Sequence, residues 1–169
     1  MSRQTPKISF EFFPPKTLDA SFRLWETAQA LAPLGPEYVS VTYGAGGTTR
    51  KLTHEAVTTI NRQFGLNVAA HLTCVEATRE ETMKIVQDYA DAGIREIVAL
   101  RGDAPKGSDG FTAHQDGFEN SVELIEAIAA RGDMTIRVGA YPEPHPDSPD
   151  TDADVAWLKR KEGKQCRSL

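Results

Sequence analysis

Ile8-Ser-Phe-Glu-Phe-Phe-Pro-Pro15 is the stretch whose reading decides the fold. Ile8, Phe10 and Phe12 alternate with Ser9, Glu11 and Phe13, which is the period of a strand. Pro14 and Pro15 cannot donate to a sheet ladder, so the strand ends there on a stiff exit. Glu11 therefore sits at the C-terminal end of a strand, among three Phe residues. Partial desolvation there would favour its neutral form, and a carboxylic acid that keeps its proton serves as a general acid. The structural alternative is a strand-end Glu that reaches water or pairs with a Lys.

Outward from this stretch, strand and helix patterns alternate. Leu18–Ala32 reads as a helix with Thr17 as N-cap and with Phe22, Trp25, Ala28 and Ala32 on one face. Tyr38–Tyr43 reads as a strand running into Gly44-Ala45-Gly46-Gly47, a weak glycine-loop signal or simply a turn needing positive φ. A helix carrying Leu52, Ala56, Val57, Ile60 and Phe64 follows and ends near Gly65. Asn67–Leu72 is the third strand, and Thr78 with Glu81 forms a capping box that opens the next helix, closed by Gly93. Ile94–Leu100 is a fourth strand, buried on both faces at Ile97–Leu100. A helix with Phe118, Val122, Ile125 and Ala129 ends at Gly132, and Thr135–Tyr141 is the fifth strand. The last helix starts near Thr151, with Val155 and Leu158 facing in.

Strict strand–helix alternation predicts parallel strands with crossover helices. Two architectures compete. A doubly wound, flavodoxin-like sheet of five strands closes at this length, whereas a full (β/α)8 barrel needs about 250 residues. A nucleotide-binding doubly wound sheet carries a Gly-rich loop after its first strand; here that loop is Phe-Phe-Pro-Pro. All five strand ends carry polar or aromatic residues: Glu11; Thr42 and Tyr43; His71 and Thr73; Arg101 and Asp103; Tyr141, Glu143 and His145. Functional residues at the ends of many strands mark a barrel. We read an α/β protein of the (β/α)8 TIM-barrel type, incomplete, with about five parallel βα units of eight. Residues 1–161 form one domain, and residues 162–169 are a divergent polar tail without apolar periodicity.

Composition excludes several function classes. The 169 residues carry a net charge of -5, which argues against a nucleic-acid partner. Lys159-Arg160-Lys161 lies beside Glu162 and reads as a solvated helix face. There is no long apolar run, and Met1–Lys7 is polar, so we expect neither a membrane span nor a signal peptide. Cys74 and Cys166 show no metal spacing and no disulfide framework, which fits a cytoplasmic protein. The histidines at 54, 71, 114 and 145 give no short metal-ligand spacing, and no metal is expected. A homo-oligomer is left open.

Among candidate site residues, Arg101 can fork onto a phosphate or carboxylate, Gly102 lets the backbone approach a flat ligand, and Asp103 can accept from a heterocycle or steady a cation. The alternative is an Arg–Asp pair that shapes the loop. His71 is a strand-end histidine, catalytic or merely hydrogen-bonded, and Cys74 reads as a buried, inert thiol.

Six motifs in order now carry a resemblance: Ser-Phe-Glu-Phe-Phe-Pro-Pro at 9–15, Val-Ser-Val-Thr-Tyr-Gly at 39–44, Ala-His-Leu-Thr-Cys at 70–74, Val-Ala-Leu-Arg-Gly-Asp at 98–103, Ala-Tyr-Pro-Glu-Pro-His-Pro at 140–146 and Leu-Lys-Arg-Lys at 158–161. The chain resembles the methylenetetrahydrofolate reductases of the bacterial, FAD-dependent type. The resemblance implies a barrel with FAD at the C-terminal strand ends and NADH or NADPH as hydride donor. It implies methylenetetrahydrofolate as the small-molecule substrate and a place in one-carbon metabolism. By the same resemblance Glu11 is the acid that opens the folate's five-membered ring, and Asp103 is the flavin-side carboxylate. Thr42, His71, Arg101, Gly102, Asp103, Tyr141, His145, Asp154 and Lys161 match positions that contact FAD. The chain departs from the family pattern after Lys161, which keeps open a non-catalytic remnant or a flavin-binding fragment that needs a complementing C-terminal part.

Overall fold

The computed structural model describes residues 6–44, 49–103, 111–140, 143, 148–162 and 166–168. The strands are β1 (Ser9–Phe12), β2 (Tyr38–Val41), β3 (Val68–Thr73), β4 (Glu96–Leu100), β5 (Thr135–Val138) and β6 (Cys166–Ser168). The helices between them are α1 (Leu18–Leu31), α2 (Arg50–Phe64), α3 (Arg79–Asp91), α4 (Ser121–Ala129) and α5 (Thr151–Glu162). The strands form one sheet in the order β1-β2-β3-β4-β5-β6, and every neighbouring pair is parallel. A doubly wound sheet reverses its strand order at a switch point. No reversal occurs among the described strands, so the flavodoxin-like alternative fails and the fold is the incomplete TIM-barrel type.

The two faces of the sheet differ in chemistry. Val39, Val41, Val68, Ala70, Leu72, Ile97, Ala99, Ile136 and Val138 join the buried core with the helices. The alternate residues, among them Glu11, Ser40, His71, Thr73, Glu96 and Arg137, fall on the other face, the inner side of the barrel wall. Successive side chains thus separate a packing face from a chemical face. On the inner face, Arg137 Nε donates to Glu96 Oε2 at 2.5 Å, and its guanidinium lies 3.5 Å from the Tyr38 ring centroid.

Local signals explain the helix ends. Thr17 Oγ1 accepts from Ala20 N, and Thr78 with Glu81 forms the expected capping box. Gly65 closes α2 at φ 64°. The start of α4 corrects the sequence reading: Asn120 caps it by accepting from Val122 N and Glu123 N. Phe118 therefore precedes the helix, buried beneath the Arg79 guanidinium.

Two further expectations are corrected, and the tail gains an element. In α1, Leu24 and Ala28 are buried while Phe22 is exposed, because the helix turns its 24/28 stripe toward the sheet beside the edge strand β1. In α5, Leu158 packs against the core but Val155 is exposed. The polar tail, without apolar periodicity, supplies β6, which pairs in parallel with β5 from Ile136↔Cys166 to Val138↔Ser168. Main-chain pairing at a sheet edge needs no apolar periodicity.

Candidate active site

The parallel register brings Glu11 of β1 opposite Ser40 of β2. Ser40 Oγ donates to Glu11 Oε2 at 3.0 Å. His71 Nε2, on β3, lies 3.1 Å from the same oxygen. Among the described residues that nitrogen has no hydrogen-bond partner of standard geometry, so the two groups are close but not aligned. The Glu11 side chain is 52% exposed and that of His71 only 10%. The expected enclosure of Glu11 by aromatic rings does not form: Phe12 points to the helix side and Phe13 is 76% exposed. Alternation along the strand sends Phe10 and Phe12 away from Glu11.

Burial pushes the His71 imidazole below its ordinary value of 6.5, and the facing Glu11 carboxylate offsets only part of that. The unfolded chain then takes up a proton that the folded chain resists. The resulting stability is complete above pH 6.5 and is lost as pH falls from there through the lower folded value. His71→Asn is expected to flatten this acid-side slope in melting temperature between pH 7 and about 5; an unchanged slope would place the acid sensitivity elsewhere.

A cleft of about 390 Å³ opens at the C-terminal end of β4, within the common range of ligand sites. Its lining includes Thr73, Arg101, Gly102, Asp103, Asp154 and Lys161. Arg101 Nε donates to Gly102 O at 3.3 Å, and the guanidinium lies 5.1 Å from the Phe111 ring centroid. Asp154 is hydrogen-bonded to Ser148 Oγ. Thr73 Oγ1 is buried and has no hydrogen-bond partner among the described residues. Beneath the cleft, Cys74 N donates to Arg101 O at 3.1 Å, and burial pushes the Cys74 thiol up to about 12, the behaviour of an inert sulfur.

Gly102 stands at φ 87°, and a Cβ there would lie 2.5 Å from Val75 Cγ2 and 2.9 Å from Thr73 Cβ. Both the backbone angle and the space demand glycine. Gly102→Ala is expected to lower stability by about 2–4 kcal/mol, summing left-handed strain and overpacking. Denaturant unfolding checks this, and a loss under half a kcal/mol would show that the turn relaxes easily.

Arg101, Gly102, Asp103, Asp154 and Lys161 thus share one cleft. Glu11, Thr42 and His71 are not among its lining residues; they occupy the adjoining part of the inner face on β1 to β3. Thr73 connects the two groups, since it lies two residues beyond His71 on the same face of β3 and lines the cleft. Thr42 contributes through its backbone: its N–H donates to Phe12 O and its carbonyl accepts from Thr53 Oγ1. Tyr141, His145 and the glycine loop at 45–47 lie outside the described residues. Ser40 was missed from sequence, although it stands two residues before Thr42 and the strand period alone puts both on one face. Among the described residues, no group of three or more His, Cys, Asp or Glu gathers as a metal site. No described helix is long and apolar enough to cross a membrane.

The family model for methylenetetrahydrofolate reductase matches residues 1–164. The chain belongs to the methylenetetrahydrofolate reductase family. A 5,10-methylenetetrahydrofolate reductase of Pectobacterium carotovorum is 44% identical over 157 residues, covering 91% of this chain and 50% of that protein. The Escherichia coli 5,10-methylenetetrahydrofolate reductase is 44% identical over 154 residues, with the same shares covered. Methylenetetrahydrofolate reductase (NADH) 1 of Arabidopsis thaliana is 37% identical, covering 91% of this chain and 28% of that one. The chain therefore spans about half the length of its bacterial reductase relatives. Among solved structures, the phospho-2-dehydro-3-deoxyheptonate aldolase of Thermotoga maritima superposes with a TM-score of 0.52 at 11% identity, over 96% of this chain and 40% of that one. That likeness concerns the barrel fold alone.

Proposed function

We propose that this chain forms the N-terminal, cofactor-binding part of a cytoplasmic 5,10-methylenetetrahydrofolate reductase that uses FAD and NADH or NADPH. The observation that carries the reading is the pairing of a half-exposed acid, Glu11, with an adjoining cleft walled by Arg101, Asp103 and Lys161. The residues fit FAD: the orphaned Thr73 hydroxyl offers a hydrogen bond, and Arg101 and Lys161 suit a pyrophosphate. When bound, FAD supplies the ring that accepts a hydride from the nicotinamide and passes it to the folate. Arg101 and Lys161 anchor the anionic end, and Gly102 keeps the approach to a flat ring free of side-chain bulk. Asp103 places a carboxylate where cationic charge develops on the substrate. Glu11 donates the proton that opens the folate ring.

Anaerobic half-reactions test this. The chain loaded with FAD is expected to be reduced by NADH or NADPH and reoxidised by methylenetetrahydrofolate. A folded, FAD-loaded chain that undergoes neither step would contradict it.

The half-length match to the bacterial relatives favours a second reading, in which the chain binds flavin but turns over only with a complementing C-terminal part. Adding the C-terminal half of a relative would then restore the folate step.

A further inference from the structure

Glu11 uses its two carboxylate oxygens unequally. Ser40 Oγ donates to Oε2, and His71 Nε2 approaches the same atom. Among the described residues, nothing pairs with Oε1. Ser40 is buried, and its strand neighbours Val39 and Val41 are locked in the helix-side core. Its hydroxyl is therefore a fixed point, whereas a half-exposed Glu otherwise samples many rotamers. A hydroxyl donating to a carboxylate makes a charge-assisted bond that strengthens as negative charge develops.

We propose that Ser40 is a positioning residue for Glu11: it holds Oε2 against the sheet, with His71 on the same oxygen, and so leaves Oε1 as the oxygen that carries and releases the transferable proton. This rests on the reading of Glu11 as the ring-opening acid. In that step the proton passes from Oε1 to one amine nitrogen of the folate's five-membered ring. The bond between that nitrogen and the bridging carbon breaks, its electron pair stays with the nitrogen, and the carbon is left as an iminium with the other nitrogen. Glu11 ends as a carboxylate, and Ser40 steadies the charge at Oε2.

Spectra of the full chain with 15N-labelled histidine test the positioning. Ser40→Ala is expected to move the His71 ring resonances, because the freed carboxylate no longer holds its place beside Nε2. Ser40→Thr, which keeps the hydroxyl, is expected to restore them, and the remaining histidines serve as internal controls. Ser40→Cys, a weak donor of similar size, provides a second variant should the alanine form fold poorly. With FAD bound, Ser40→Ala is expected to slow reoxidation by methylenetetrahydrofolate about tenfold, far more than it slows reduction by NADH, with Thr again restoring the rate. His71 resonances that coincide in wild type and Ser40→Ala would overturn the positioning role. A wild-type chain that binds FAD but does not reduce the folate even with the C-terminal half of a relative added, while the spectral response holds, would instead overturn the acid reading and with it the assignment of Oε1.

Discussion

Glu11→Gln is expected to slow reoxidation of the reduced flavin by methylenetetrahydrofolate by roughly 10²–10⁴-fold, the usual worth of a positioned general acid. Gln keeps the length of the side chain and an oxygen that accepts from Ser40, so the local geometry survives. What it lacks is a proton to give. Reduction of the flavin by NADH or NADPH needs no acid from Glu11 and is expected to persist within a few-fold. The comparison of the two half-reactions separates lost chemistry from lost folding: a misfolded variant fails in both, whereas loss of the acid affects one. Equal loss in both half-reactions by a variant that circular dichroism shows to be folded, or none in either, would contradict the role given to Glu11.

Arg137→Ala is expected to cost about 3–5 kcal/mol, a large share of the roughly 5–15 kcal/mol that holds a domain together. Arg137 and Glu96 are 6% and 12% exposed and are joined at 2.5 Å. Glu96 also accepts from Asn67 Nδ2 at 2.5 Å, and the Arg137 guanidinium stacks over Tyr38. Removing the cation strands a carboxylate on the inner face with one neutral donor left, and it removes the face-on contact with the ring. Most of the loss comes from the abandoned charge rather than from the attraction itself. Replacing both partners, Glu96→Leu with Arg137→Met, is therefore expected to recover most of the stability. Urea unfolding of the three variants checks this; a double variant as unstable as Arg137→Ala would show that the pair's attraction outweighs its desolvation.

The sheet was legible in the sequence because its helix-facing residues are uniformly apolar. Val68, Ala70 and Leu72, or Ile97 and Ala99, could face nothing but a core. The order of strands was legible only indirectly, through polar residues gathered at strand ends; the parallel, consecutive pairing then matched that inference. The edges read less well. Of the α1 stripe, Trp25, Ala28 and Ala32 meet the core but Phe22 does not, because a helix flanking an edge strand has no second neighbour to cover it. The strand at Cys166–Ser168 had no pattern to reveal it, because its evidence is backbone pairing alone.

The candidate site was legible at the Arg101-Gly102-Asp103 turn, where the chain needs a glycine that no other residue could replace without strain. It was less legible around Glu11. The aromatic neighbours in sequence suggested a dry pocket, yet the strand period directs Phe10 and Phe12 to the opposite face. The residues that touch the carboxylate, Ser40 and His71, come from the neighbouring strands and are found by register, not by proximity in the chain.

Flavin binding in the cleft near Glu11 is the central claim, and equilibrium titration of the purified, folded chain with FAD measures it most directly. The prediction is saturable quenching of flavin fluorescence with about one FAD per chain at saturation, weakened when Arg101 is replaced by Ala. Flavin fluorescence that stays at its free value across the titration, with circular dichroism showing a folded chain, would contradict it.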